Sequence, residues 1–116
     1  MLKEISFNYK GRKICVNAEN CNFPGKFFGL MFESRENARA LLFEFRKPVK
    51  IKIHSLFVFF PFAAIWLDDK NKIVDFKIVK PFNFIISPKK LHNKLVEIPV
   101  NKKYRNLIKL LQLSYA

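Results

Sequence analysis

The side chains in this sequence that could carry chemistry are two histidines, His54 and His92, and two cysteines, Cys15 and Cys21. Catalysis and metal binding need nucleophiles, bases or ligands that converge on one point, and this supply is thin. The separation of the cysteines matches neither a CxxC redox pair nor a zinc knuckle. We therefore predict two reduced structural thiols, no metal and no cofactor, and the inventory argues against an enzyme.

The surroundings of the histidines favour structural roles. His54 lies where a lysine-rich segment turns apolar, so it could be a partly buried base or a hydrogen-bonded histidine at the rim of the core. The second interpretation is favoured because no partner is visible. His92 stands among lysines and is predicted to be solvated. Asp68 and Asp69 are neighbours, which point to opposite faces of an extended segment, so turn chemistry explains them better than a carboxylate pair.

The composition indicates one small domain with a single core. The chain has 116 residues, of which half are hydrophobic and 14 are Phe, and one domain usually takes roughly 100 to 150 residues. The longest uncharged apolar run, Leu56 to Leu67, contains Pro61 and falls well short of the roughly 20 residues that span a bilayer. No membrane span is predicted. The N-terminus shows no secretory pattern, which predicts a cytoplasmic protein.

Alternating polarity in the N-terminal half predicts strands. Ile5 to Tyr9 and Lys13 to Asn17 have a period of two and form a predicted hairpin. A short helix is predicted from Arg35 to Ala40 behind the possible cap Ser34. Strand character returns in Leu41 to Phe45 and, half-solvated, in Val49 to Ile53.

The C-terminal half predicts the centre of the fold. Leu56 to Leu67 is apolar on both parities, so it should pass under cover on both sides and be the most buried stretch. A turn at Asp68 to Asn71 joins it to Ile73–Val79 in a hairpin. Further strands are predicted at Phe84 to Ile86 and Lys94 to Val100. Residues 104–111 fit a helix or a last strand, and the helix is favoured.

Several short motifs resemble a known family. Gly29-Leu30-Met31-Phe32, followed by a polar segment and the apolar strand Leu41 to Phe45, looks like the opening of domain-of-unknown-function family 192. The central hairpin with its F-x-x-P pattern ending at Pro61, then Pro81-Phe82 and Leu95 to Pro99, resembles later segments of that family. In all, the resemblance covers roughly Ile5 to Pro99 and depends on the order of the motifs.

The resemblance implies a fold more than a function. It implies a mainly β protein, a small sandwich or flattened barrel with one or two short helices, and no established activity. Where the family commonly has an Asp after the Pro, this chain has Phe62-Ala63-Ala64, so a role tied to that Asp does not transfer. Gly29 is predicted to permit a tight turn or close backbone approach. The candidate ligand or motif residues are Gly29, Met31, His54, Pro61 and Trp66.

Three functions follow from these features. The first is a non-catalytic binding module for a protein or small ligand, favoured by abundant aromatic residues without a convergent polar cluster. The second is a nucleic-acid-binding protein, because 22 basic against 9 acidic residues give a net charge of +13 and cations can follow phosphates while aromatic rings stack on bases. The third, ranked last, is a hydrolase or transferase using His54 with an Asp or Cys partner.

The charge admits two interpretations. It could serve an anionic partner, a nucleic acid or an acidic protein, or lysine could simply be the common polar surface residue. From Lys70 onward the acidic residues are Asp75 and Glu97 alone, which favours a partner. The candidate nucleic-acid contacts are Lys77, Lys80, Lys89, Lys90, Lys94, Lys102, Lys103 and Arg105.

Overall fold

A computed structural model of the chain describes residues 2–9, 11–21, 30, 34–53, 55, 57–83 and 86–115. The described part contains six strands and one helix. These are β1 (Leu2–Tyr9), β2 (Arg12–Asn20), β3 (Leu41–Val49), β4 (Phe62–Leu67), β5 (Ile73–Val79), β6 (His92–Pro99) and α1 (Arg105–Tyr115).

The strands form one sheet in the order β1-β2-β3-β6-β4-β5. Neighbouring strands are antiparallel except β2 and β3, which pair in parallel through Glu19 and Asn20. An isolated bridge between Asn8 and Lys72 links β1 to the start of β5, so the sheet curls towards a half-barrel. The predicted mainly β fold is confirmed.

The first hairpin follows the alternation in its sequence. Ile5 of β1 pairs with Val16 of β2 and Phe7 pairs with Ile14, and all four side chains are buried. Gly11 turns the chain with φ of 77°, a conformation that glycine adopts without steric cost. Cys15 points to the other side, as predicted.

The two cysteines differ in burial. Among the described residues neither Cys15 nor Cys21 takes part in a disulfide, and Cys15 is exposed while Cys21 is half-buried. The structural role predicted for both thiols does not extend to burial of Cys15, because the alternation that buries its neighbours turns its own side chain to solvent.

One face of the sheet packs against the C-terminal helix, and we call it the helix face. Tyr104, Ile108 and Leu111 are buried against strand residues such as Ile65 and Val96. The Tyr104 hydroxyl also accepts a hydrogen bond of 2.9 Å from the Ala40 main-chain nitrogen. A three-and-four spacing of apolar residues gives α1 its buried stripe, and the favoured helical interpretation of the tail is confirmed.

The other face is covered by chain segments outside the strands, and we call it the loop face. It buries Phe43, Phe62 and Trp66 beneath side chains that include Val58 and Phe60. An isolated antiparallel bridge between Ile53 and Ile86 ties two covering segments together. The sheet is thus apolar on both sides, as a sheet between two layers must be.

The predicted helix over Arg35 to Ala40 is wrong. The segment makes a turn at residues 35–37 with one helix-like hydrogen bond, from Ala38 N to Ser34 O at 2.9 Å. The side-chain amide of Asn101 donates to the carbonyls of Arg35 and Ala38 at 2.8 and 3.1 Å. A distant side chain therefore satisfies carbonyl groups that a continuing helix would have used.

Two strand predictions need correction. β3 runs on through Pro48 to Val49, with an irregular register against β6 between Glu44 and Val49. The predicted strand from Val49 to Ile53 is wrong beyond Val49, because Ile53 makes only its single bridge to Ile86. In the predicted strand Phe84 to Ile86, Ile86 forms that bridge and the other two residues lie outside the described part.

The central apolar run is only partly a buried strand. All six residues of β4 are buried, and β4 and β5 form the predicted hairpin around Asp68, whose carboxylate accepts from the main-chain nitrogens of Lys70 and Lys72 at 2.9 Å each. Phe57 and Phe59 are exposed, so burial of the whole run was a wrong prediction. The strand begins only at Phe62, after a segment in which Phe57 takes a left-handed backbone conformation.

Candidate functional site

Three neighbouring strands of the sheet, β6, β4 and β5, have ends at the same edge, where exposed aromatic and basic side chains collect. Phe62, the first residue of β4, pairs with Val79 at the end of β5 and with Pro99 at the end of β6. The segments that leave the strands at this edge are residues 57–61, 80–83 and 100–105. We call these three segments the rim.

Ser55 fastens two of the rim segments together. Its buried hydroxyl donates to the carbonyl of Lys80 at 2.6 Å and accepts from the main-chain nitrogen of Asn83 at 2.7 Å. Its main chain bonds Asn83 and Phe82 at 2.8 and 2.9 Å and accepts from Val58 at 3.1 Å. Ser55 has no exposed surface, and its hydrogen bonds fix the backbone of the rim segments 57–61 and 80–83.

Three phenylalanines project from this fixed backbone. Phe57, Phe59 and Phe82 are 51%, 58% and 56% exposed. The rings of Phe59 and Phe82 meet edge to face with centroids 5.7 Å apart. Full burial of a Phe side chain contributes roughly 1.5 to 3 kcal/mol, so leaving three of them half in water gives up much of that stabilisation.

The backbone at two of these phenylalanines is strained. Phe57 and Phe82 have φ of 64° and 63°, in the left-handed region that costs a residue with a bulky side chain about 1 to 2 kcal/mol. Strain of this kind persists when the surrounding structure imposes it, and the Ser55 hydrogen bonds do so here. Strained backbone and exposed aromatic side chains therefore occur together in the rim. Neither feature stabilises the folded protein.

Two of the rim segments carry exposed basic side chains. Lys80 is exposed at the end of β5, and Lys102, Lys103 and Arg105 are exposed beyond β6. The Lys103 ammonium lies 5.8 Å from the centroid of the Tyr104 ring. The rim thus combines three aromatic rings with four cations.

The carboxylates of Asp75, Glu44 and Glu36 accept hydrogen bonds from groups other than the side chains of the rim cations. Asp75 is buried and accepts from the main-chain nitrogens of Phe76 and Lys89 at 2.8 and 2.9 Å. Glu44 pairs with Lys3 at 2.8 Å. Near the rim, Glu36 accepts from the Lys102 main-chain nitrogen at 3.2 Å, which leaves the Lys102 ammonium in solvent.

The remaining predicted nucleic-acid contacts lie elsewhere. Lys77 is half-buried and its ammonium donates to the Ser87 carbonyl at 2.5 Å. Lys94 bonds the side chain of Asn71 at the opposite end of β4. Lys89 and Lys90 are exposed just before β6 begins. The structure therefore divides the eight predicted cations, with Lys80, Lys102, Lys103 and Arg105 at the rim.

His92 contradicts its predicted solvation. It has no exposed surface and packs edge to face against Phe45 and Trp66, with centroid distances of 5.7 and 6.3 Å. β6 begins at His92, so the chain turns inward there while Lys89 and Lys90 stay outside. The lysines next to His92 in the sequence therefore do not indicate whether its side chain is buried.

The nitrogens of this aromatic cluster are poorly satisfied. Within the part of the chain that the structure describes, neither ring nitrogen of His92 nor the indole nitrogen of Trp66 has a hydrogen-bond partner. Burial lowers the pKa of His92, and the nearby Lys90 main chain opposes this without reaching hydrogen-bond geometry. The ring is therefore neutral at neutral pH.

Glu97 is a second buried polar group on the loop face. It pairs with Leu41 and Ala64 in the middle of the sheet and is 7% exposed. Burial raises the pKa of Glu97 to about 7. Its partners in the sheet register, Leu41 and Ala64, are apolar, and such surroundings favour the uncharged carboxyl group.

Two of the five motif candidates lie within the described residues. Pro61 belongs to the rim, and its carbonyl accepts from Val100 N at 3.0 Å. Trp66 is fully buried, so it does not offer a surface for a ligand. Gly29, Met31 and His54 lie outside the described residues, and so does the turn predicted at Gly29.

Sequence reasoning missed the exposure of Phe57 and Phe59, which the apolar run predicts to be buried. Phe82 belongs both to the Pro-Phe motif and to the stretch from Lys77 to Phe84, where aromatic residues among lysines favour nucleic-acid binding. A signal was present in the polar and proline residues that interrupt these segments, since Ser55, Pro61 and Pro81 mark loops rather than strands. Exposure itself depends on backbone angles that the sequence does not reveal.

The described residues show neither a metal centre nor a membrane-spanning helix. No group of three or more His, Cys, Asp or Glu side chains with metal-binding geometry occurs among them. Across those same residues, no helix combines the length and apolar character needed to cross a membrane.

Solved structures share this fold. A protein of unknown function from Novosphingobium aromaticivorans superposes with a TM-score of 0.73 at 12% identity, over 91% of this chain and 78% of the other. A protein from Sinorhizobium meliloti, described as a putative transcription regulator, gives a TM-score of 0.70 at 17% identity, over 88% of this chain and 81% of the other. At these identities the likeness is one of fold alone.

Sequence comparison identifies the family. A UPF0127 protein of Pyrococcus furiosus is 28% identical over 91 residues, which is 78% of each chain. The family model DUF192, described as an uncharacterized ACR, matches residues 10–109. Because that match spans most of the chain, the chain belongs to the uncharacterized DUF192 family.

Proposed function

We propose that this protein is a non-catalytic binding module whose rim binds nucleic acid. The observation that carries the proposal is the grouping of exposed Phe57, Phe59 and Phe82 with exposed cations at one edge of the sheet. Nucleic acids offer both complementary features, phosphates for the cations and flat bases for the rings. The partner is therefore anionic and aromatic.

The charge of the whole chain supports the same partner. A net charge of +13 attracts polyanions and speeds their association. Asp75 and Glu97, the acidic residues from Lys70 onward, are both buried, so they do not offset the rim cations at the surface. An acidic protein shares the charge complementarity but gives less reason for three exposed rings.

The structural neighbours contribute little to this proposal. The Sinorhizobium meliloti protein is described as a putative transcription regulator, a role that agrees with nucleic-acid binding. At 17% identity the likeness carries the fold and not the activity. The proposal therefore depends on the rim of this chain.

Salt dependence of binding tests the proposal. Fluorescence anisotropy with a labelled mixed-sequence single strand should show binding at about 20 mM salt that weakens as salt rises. Four rim cations, each on one phosphate, predict a slope of log affinity against log salt of about −3, since a single strand contributes about −0.7 per phosphate. No binding at low salt would leave the protein or small-ligand hypothesis.

Two charge-reversal pairs locate the site. The rim variant is Lys102→Glu with Lys103→Glu, and the matched control is Lys89→Glu with Lys90→Glu, an equally exposed adjacent pair away from the rim. The rim pair should reduce the steepness of the salt slope by about 1.4, whereas the control pair should change it little. Equal effects of the two pairs would mean that the whole basic surface binds and would contradict a rim site.

A further inference from the structure

The aromatic half of the rim carries an inference about the form of the nucleic acid. Resting on the proposed function, we infer that Phe59 and Phe82, with Phe57 beside them, stack on unpaired bases, so that the ligand is single-stranded DNA or RNA. In a duplex the base faces are covered by their neighbours, and only a single strand can offer them to protein rings. Contacts to the phosphates of the nucleic acid alone would not distinguish a single strand from a duplex.

The geometry of the rings fits stacking. Phe59 and Phe82 are more than half exposed and stand edge to face at 5.7 Å, so their surfaces face different directions in one place. Phe82 comes two residues after Lys80, whose carbonyl is held by Ser55. A base on the ring and a phosphate on the lysine can therefore belong to the same stretch of strand.

The rigidity of the rim favours a strand over a lipid surface. An apolar anchor that enters a membrane needs exposed rings and nearby cations, but it does not need those rings at a fixed angle. Here Ser55 makes hydrogen bonds to Lys80, Phe82 and Asn83, and Phe82 is held with φ of 63°. A fixed orientation serves stacking because a base meets an aromatic face in parallel planes.

Three probes of equal length separate bases from phosphates. A labelled 12-nucleotide oligo(dT), its duplex with oligo(dA), and a 12-unit abasic strand are titrated with the full chain at one salt concentration. The single strand should bind at least tenfold more tightly than either the duplex or the abasic strand. Binding of all three probes with equal affinity would overturn stacking while leaving the proposed function intact.

Variants of the rings test the residues. Phe59→Ala and Phe82→Ala should each weaken oligo(dT) binding by about 5- to 150-fold, the range equivalent to 1 to 3 kcal/mol per stacked base. Affinity for the abasic strand should not change, nor should the salt slope, because stacking displaces no counterions. Phe59→Trp should retain oligo(dT) binding. Leu91→Ala, at an exposed apolar residue outside the rim, is the matched control.

The outcomes distinguish the two levels of proposal. Failure of every probe to bind at low salt contradicts the proposed function itself. Binding that is insensitive to both phenylalanine variants, with thermal melts showing folded proteins, contradicts stacking alone. Vesicles of phosphatidylglycerol and phosphatidylcholine are the last probe. Capture of the wild type but not of the Phe variants by these vesicles, with no preference for single strands, would replace the inference with a membrane surface.

Discussion

The helix face and the loop face of the sheet bury similar apolar side chains but treat polar groups differently. On the helix face, α1 and the residue before it supply Tyr104, Ile108 and Leu111, and the Tyr104 hydroxyl is hydrogen-bonded to Ala40. The loop face buries Glu97 in the centre of the sheet and His92 against Trp66. Among the described residues, the ring nitrogens of His92 and the indole nitrogen of Trp66 are buried without hydrogen-bond partners, which costs free energy. The loop face therefore falls further short of the most stable possible packing than the helix face does.

The difference extends to the segments that cover each face. A helix satisfies its own backbone and presents a regular apolar stripe. The loop face is covered by irregular segments that need side chains such as Ser55 to satisfy their main chain, and these segments expose Phe57, Phe59 and Phe82. Departures from optimal packing thus accumulate on the side that carries the phenylalanines of the rim, and functional sites commonly store strain of this kind.

Glu97 should produce the largest effect of pH on the loop face. Its folded-state pKa of about 7 lies above the ordinary value of 4.5, so the folded protein keeps a proton that the unfolded chain releases. Stability therefore falls as pH rises from about 4.5 to about 7, by on the order of 3 kcal/mol, and is level above that range. Glu97→Gln should be more stable than the wild type at pH 8, with the advantage shrinking towards pH 4.5.

Urea unfolding between pH 4.5 and pH 8 measures this effect. Glu4→Gln, an exposed carboxylate on β1, is the control and should change stability little at any pH. A difference between Glu97→Gln and the wild type that stays constant across this range would show that Glu97 is not buried as an uncharged group. The contrast between the two faces would then lose its main electrostatic evidence.

His92 should give a smaller pH effect of the opposite sign. Burial holds its pKa below the ordinary value of 6.5, so the unfolded chain takes up a proton that the folded protein refuses. Stability is therefore lost as pH falls below about 6.5, by at most about 1.4 kcal/mol per pH unit. Relative to the wild type, His92→Leu should gain stability as pH falls from 7 to 5.

The Glu97→Gln background isolates the His92 effect. The two groups titrate in overlapping ranges with opposite signs, so in the wild type they partly cancel. In Glu97→Gln the loss on acidification should steepen, and adding His92→Leu should remove it. An identical pH profile with and without His92→Leu would mean that the ring is protonated as easily in the folded state as in the unfolded one.

The parts of the fold that depend on local pattern could be predicted from the sequence. Alternation at Ile5 and Phe7 predicted the first hairpin, and the spacing of Ile108 and Leu111 favoured the last helix. Burial of His92 was not predictable, because it depends on contacts with Phe45 and Trp66, which come from strands distant in sequence. Local sequence patterns determine where strands and helices form, whereas packing between distant parts of the chain determines which side chains are buried.

The rim could be predicted only in part for the same reason. Lys80 and Lys102 were recognised by charge, but their place at one edge follows from the shared register of Phe62 with Val79 and Pro99. That register joins strands far apart in the chain. The exposure of Phe82 depends on a positive φ, which sequence patterns associate with Gly or Asn and not with Phe.

Relief of backbone strain at Phe82 should give the smallest effect. Phe82→Gly removes the steric penalty of φ at 63° and forfeits the edge-to-face contact with Phe59, so the two terms nearly offset. We expect a net gain in stability of less than about 1 kcal/mol. Leu91→Gly is the matched control, because Leu91 is equally exposed but lacks a positive φ, and it should lose about 0.5 to 1 kcal/mol. Thermal melts of both variants measure this difference. If Phe82→Gly destabilised the protein as much as Leu91→Gly does, the rim would store no strain. The loop face would then differ from the helix face only in its buried polar groups.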